Sequence, residues 1–95
     1  MKTKPLDLAT YLKTDEARAA FLADAVQDDN PEVFAHALGI VARSRGISDL
    51  ATETGLTRPG IYKAVAEDGN PSFATLRKLL DALGVEVTFR AKAHA

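Results

Sequence analysis

Thr57, Arg58, Tyr62 and Lys63 form the densest group of side chains in this sequence suited to gripping a partner. Arg58 carries a planar fork of donors that matches the edge of a guanine bidentately. Tyr62 follows four positions later, so any helix holding both puts them on one face. Its hydroxyl can donate to a phosphate, or its ring can pack on a thymine methyl. Lys63 is a mobile cation suited to a phosphate. Thr57 can cap a helix and meet a phosphate at the same end, where backbone N–H groups already favour anions. Gly60 leaves room for a nucleic-acid backbone, or avoids a clash with a neighbouring helix. Ser48 before the group, and Asn70 and Ser72 after it, complete a polar rim that can hold the backbone on either side.

These residues need a frame. Leu50-Ala51, Gly55-Leu56 and Ile61-Tyr62-Lys63 supply one. Across residues 47–64 this spacing describes a helix-turn-helix, whose second helix lies in the major groove of DNA. Ala51 is small enough for the second helix to cross close above it. Gly55 can take the left-handed conformation that ends the first helix. Leu50, Leu56 and Ile61 plug the angle between the helices into a core. Ser48 is the expected cap of the first helix, Thr57 of the second, and Pro59 falls in a first turn where its missing N–H breaks no bond.

Three further helices are expected around the motif. One starts after Thr14, with Asp15 and Glu16 favourable at its positive end, and turns Phe21, Leu22, Ala25 and Val26 inward. Asn30-Pro31 starts the next, which ends near Gly46 and tolerates Gly39 in its middle. Ser72 caps the last, which buries Phe73, Leu76, Leu79, Leu80 and Leu83 and stops at Gly84. Val85, Val87 and Phe89 then alternate with Glu86, Thr88 and Arg90, the pattern of a half-buried strand. A lone strand needs a partner, either the same strand of a second copy or the arm around Leu6 and Leu8. The expected fold is an all-α bundle of about five helices with a short C-terminal β-strand. Residues 1–29 form an arm and helix, and residues 30–95 the helix-turn-helix domain.

Composition bounds the function. Ninety-five residues, 46% hydrophobic, make one core in one small domain. The absence of cysteine excludes disulfides, thiolate metal sites and cysteine nucleophiles. The N-terminus does not read as a signal peptide, and no apolar run approaches the roughly 20 residues that span a bilayer. A cytoplasmic protein without a membrane contact is expected. The net charge is −1, but it is unevenly spread. Residues 1–42 hold four basic and seven acidic side chains; residues 43–95 hold eight basic and six acidic. The motif sits in the positive half, and the acidic half suits a basic protein partner.

No catalytic arrangement is legible. His36 and His94 stand without a second ligand at metal spacing. Asp28-Asp29 and Glu67-Asp68 read as solvated charges at helix ends and turns. No serine has a base at a recognisable offset, and no glycine-rich loop cradles phosphate. The expectation is a non-enzyme without metal or cofactor.

The chain resembles the helix-turn-helix antidote (antitoxin) proteins of bacterial addiction modules, the HigA-like group paired with small toxins of the RelE/HigB type, within the phage-repressor-like superfamily. The resemblance runs through Leu8-Ala9-Thr10-Tyr11-Leu12-Lys13, Ala20-Phe21-Leu22-Ala23-Asp24-Ala25 and Asp29-Asn30-Pro31. Its most specific segment is Ala37-Leu38-Gly39-Ile40-Val41-Ala42-Arg43-Ser44-Arg45-Gly46. It continues through Thr57-Arg58, Ile61-Tyr62-Lys63-Ala64, Gly69-Asn70-Pro71-Ser72-Phe73 and Ala82-Leu83-Gly84, and departs at Pro59-Gly60. It implies an antitoxin that binds and neutralises a small basic toxin and represses the operon encoding both. It also implies that Thr57, Arg58, Tyr62 and Lys63 face DNA. For the toxin, the expected surface is Leu6, Leu8, Tyr11, Leu12, Phe21 and Leu22, more apolar surface than a short arm can bury; completing the core is the alternative. A homodimer would set two reading helices about 34 Å apart on a near-palindromic operator. A repressor without a toxin, and a protein-binding module that no longer touches DNA, are the competing expectations.

Overall fold

A computed structural model describes residues 8–66 and 68–93 of the chain. Six helices follow one another: α1 (Leu8–Tyr11), α2 (Asp15–Val26), α3 (Pro31–Arg45), α4 (Ile47–Thr54), α5 (Arg58–Ala64) and α6 (Phe73–Ala82). The all-helical fold is as the sequence predicts, with α1 adding a single turn to the five longer helices. Among the described residues no helix is long and apolar enough to cross a membrane.

Most helix starts are made by the expected caps. The Thr14 hydroxyl accepts from the Ala17 N–H at 3.1 Å, and the Asn30 side chain from the Glu32 N–H at 3.0 Å. The Ser72 hydroxyl accepts from the Thr75 N–H at 3.1 Å. Each satisfies a donor that a helix start leaves open. α4 is the exception. It begins at Ile47, directly after Gly46, and has no side-chain cap, so Ser48 lies inside the helix rather than ahead of it. The reason is that Gly46, at φ +106°, both ends α3 and opens α4, leaving no loop residue to serve as cap.

α3 is the central helix. It packs against α1, α2 and α4, while α4 also meets α5 and α6. Leu38, Val41 and Ala42 from α3 meet Leu50, Ile61, Leu79 and Leu83 in one core, which also takes Leu12 and Leu22. Two expected core residues are instead exposed: Val26, which ends α2, and Phe73, which opens α6. Both stand at the very end of a helix, and helical periodicity does not set how far along a helix its neighbours reach.

The expected C-terminal strand is absent. Residues 85–93 form neither helix nor strand, and no strand occurs among the described residues. The Val85 N–H donates to the Leu80 carbonyl at 2.9 Å and its side chain packs on the core, but Val87 and Phe89 face outward. A strand is defined by a neighbour's hydrogen bonds, and the described chain offers no neighbouring backbone here.

Candidate nucleic-acid interface

The α4–α5 unit is built as two short helices joined by residues 55–57. Gly55 sits at φ +78° and its N–H donates to the Ala51 carbonyl at 3.0 Å, closing α4 in the left-handed conformation that only glycine adopts without strain. The Thr54 hydroxyl adds a second lock, donating to the Leu50 carbonyl at 2.6 Å and accepting from the Leu56 N–H at 3.1 Å. Ile47, Leu50 and Ile61 are buried, with Ala51 and Leu56 packed against them. A unit pinned from beneath in this way leaves its outer face to solvent.

That outer face carries the expected residues. Thr57 caps α5, its hydroxyl accepting from the Gly60 N–H at 3.0 Å. Arg58 is the first helical residue and Pro59 the second, so the proline costs no internal hydrogen bond. Arg58, Gly60 and Lys63 are exposed, and Tyr62 keeps 43% of its surface in solvent. Neither Arg58 nor Lys63 makes an ion pair among the described residues, so both cations stand available to an anion.

Gly60, Lys63 and Asn70 line one open cleft of about 440 Å³, together with Thr75 and the backbone after α5. Asp68 lines it too, adding a negative charge to the wall. Ser48 is exposed on α4, where its carbonyl accepts from the Thr52 hydroxyl, and Ser72 stands at the start of α6. Of the apolar set expected to meet a toxin, Leu12 and Leu22 are core residues and Phe21 is half-buried. Tyr11 remains 49% exposed. Leu6 lies outside the described residues, and Leu8 opens α1.

Three positioning residues carried little signal in the sequence. Gly69 reads as an ordinary turn glycine, yet a Cβ there would lie 2.7–2.8 Å from the carbonyl oxygens of Lys63, Ala64 and Ala66. It lets the chain fold back onto the end of α5, so that Asn70 and Lys63 line the same cleft. Arg45 pairs with Asp49 at 3.6 Å and with Glu53, fastening α3 to α4. Thr54 acts through local hydrogen bonds, a habit of threonine near helix ends.

A family model described as a probable addiction module antidote protein matches residues 2–91. An uncharacterized protein of Haemophilus influenzae is 40% identical over 83 residues, covering 87% of this chain and 86% of its own length. No solved structure matches the chain. The family match spans both the helices ahead of the motif and the motif itself, and on that ground the chain belongs to the family of probable addiction module antidote proteins.

Proposed function

We propose that this chain is a HigA-like antitoxin of the phage-repressor-like superfamily. It neutralises a small basic toxin of the RelE/HigB type by direct binding and represses the operon encoding both. The observation that carries the DNA half is the outer face of α5, where Arg58, Tyr62 and Lys63 are exposed above a buried apolar side. A helix held by its core face, with cations unpaired on the other, is the form that enters a major groove. Ser48, Thr57, Gly60, Asn70 and Ser72 are assigned to the phosphate backbone around it. Two copies on a two-fold axis would read a near-palindromic operator.

The toxin half rests on the family and on charge. Asp24, Asp28 and Asp29 are exposed at the end of α2 and the turn after it, an acidic surface that attracts a basic partner. Tyr11 and the exposed edge of Phe21 add apolar contact nearby in sequence. The protein acts in the cytoplasm, as a non-enzyme without cofactor.

The test has two arms. The purified protein is titrated against the DNA upstream of its own gene, and it is co-expressed with any small basic protein that a neighbouring gene encodes. Tight operator binding together with rescue of growth is the expected pair of results. Operator binding without any effect of the neighbour leaves a stand-alone repressor; rescue without operator binding leaves a protein-binding module.

A further inference from the structure

We propose that residues 85–91 pair antiparallel with the same segment of a second copy of this chain, in the register that sets Thr88 opposite Thr88. The inference deepens the two-fold reading above by assigning its contact surface. It starts from an exposed aromatic. Phe89 keeps 89% of its surface in solvent and Val87 keeps 37%, in a segment that has strand alternation but no strand. Val85 fixes the segment's start, because its N–H is bonded to the end of α6 and its side chain packs on the core. Beyond it, residues 86–91 make no backbone hydrogen bond among the described residues, which leaves their donors and acceptors to whatever lies alongside.

The order of side chains says what that is. About Thr88, antiparallel self-pairing places Glu86 opposite Arg90 and Val87 opposite Phe89, each twice by symmetry. Ala91 meets Val85. Acid meets base, β-branched meets aromatic and threonine meets threonine, and each is a favourable cross-strand pair. Side chains alternate across a strand, so Glu86, Thr88 and Arg90 share one face while Val87 and Phe89 share the other. A one-residue shift of the two-fold loses this match. Centring on Val87 puts Glu86 against Thr88; centring on Phe89 puts Thr88 against Arg90 and Val87 against Ala91, and pairs Glu86 only with Lys92, beyond the segment. Within residues 85–91 the register about Thr88 is therefore the one that pairs every charged side chain with its opposite, and self-complementarity is the property an isologous contact requires.

The experiment uses the full chain, with dimerisation followed by light scattering over a range of concentrations. Glu86→Arg places like charges opposite each other, and so does Arg90→Glu. Each is expected to weaken the dimer roughly tenfold. The double swap restores the opposite-charge pairs and the wild-type affinity, and an equimolar mixture of the two single variants dimerises more tightly than either does by itself. Thr88→Cys, in a chain with no native cysteine, is expected to give a disulfide-linked dimer on mild oxidation, whereas Phe89→Cys is not. A dimer that ignores the single swaps overturns this surface while leaving the two-fold reading standing. A chain that stays monomeric at every concentration overturns both. Pairing that arises only with the toxin overturns the choice of a second copy.

Discussion

Thr57 and Gly60 are coupled through one oxygen. The Thr57 hydroxyl accepts from the Gly60 N–H at 3.0 Å, and a Cβ on Gly60 would lie 2.9 Å from that same oxygen. The glycine therefore makes room for the cap of α5, not for the neighbouring α4. Thr57→Ala should destabilise the fold by about 1 kcal/mol, whereas Thr57→Ser, which keeps the capping hydroxyl, should avoid most of that loss. Gly60→Ala gains roughly 1 kcal/mol of helix propensity but crowds the cap, so its net effect should stay within about 0.5 kcal/mol. Urea unfolding of the three variants measures both; a Gly60→Ala change as large as that of Thr57→Ala would show that the cap cannot adjust.

Arg58 and Lys63 should separate in how they affect DNA binding. Arg58→Ala is expected to weaken operator affinity by about 1–3 kcal/mol and to relax specificity at one position. Lys63→Ala should weaken all sequences alike and reduce the salt slope by about one. Titrations of operator and mutated operators at several salt concentrations decide this. Unchanged affinity in both variants would remove α5 from the interface.

Gly69→Ala should be among the most damaging small substitutions near the site. The new methyl has three backbone carbonyl oxygens within 2.8 Å, and backbone at a helix end has no rotamer through which to yield. A loss of about 1–3 kcal/mol in denaturant unfolding is expected. Asn70→Ala, at an exposed neighbour, should stay within about 0.5 kcal/mol. Weakened DNA binding by Asn70→Ala at unchanged stability would identify a direct contact.

Arg18 ties the start of α2 to the end of α6. Its guanidinium donates to the Leu83 carbonyl at 3.4 Å, to the Lys13 carbonyl at 3.3 Å and to the Asp15 carboxylate at 3.0 Å. The first of these satisfies an open carbonyl just past α6, at its negative end. The partner Asp15 is 63% exposed, so the ion pair itself contributes little. Arg18→Met keeps the packing of the stem and loses the hydrogen bonds; a cost of about 1–3 kcal/mol is expected, with Asp15→Asn below about 1 kcal/mol. Equal costs for the two variants would mean the ion pair dominates.

Local chemistry is legible in the amino-acid sequence. The caps Thr14, Asn30, Thr57 and Ser72, the left-handed Gly55 and the exposed cations of α5 each depend on residues within four positions, so their types and spacing are sufficient. Where the reading fell short, it missed partners distant in the chain or alternatives of equal local merit. Ser48 is as good a cap as Ser72, but the tight α3–α4 junction at Gly46 pre-empted it. Val26 and Phe73 have core-like character, but helix periodicity does not say where a neighbouring helix ends.

The amino-acid sequence by itself determined the five longer helices, the helix-turn-helix and its cationic second helix, because periodicity, capping and turn conformation are short-range; the strand alternation of residues 85–90 found no neighbouring backbone and made no strand. Tertiary structure decided which apolar residues are core and which are free to meet a partner. Leu12 and Leu22 are buried in the core while Tyr11 and Phe89 stay in solvent, and the demand for glycine at position 69 arises only where the chain folds back on the end of α5. Burial is a property of what packs above a residue, and that is set by the meeting of segments far apart in the chain.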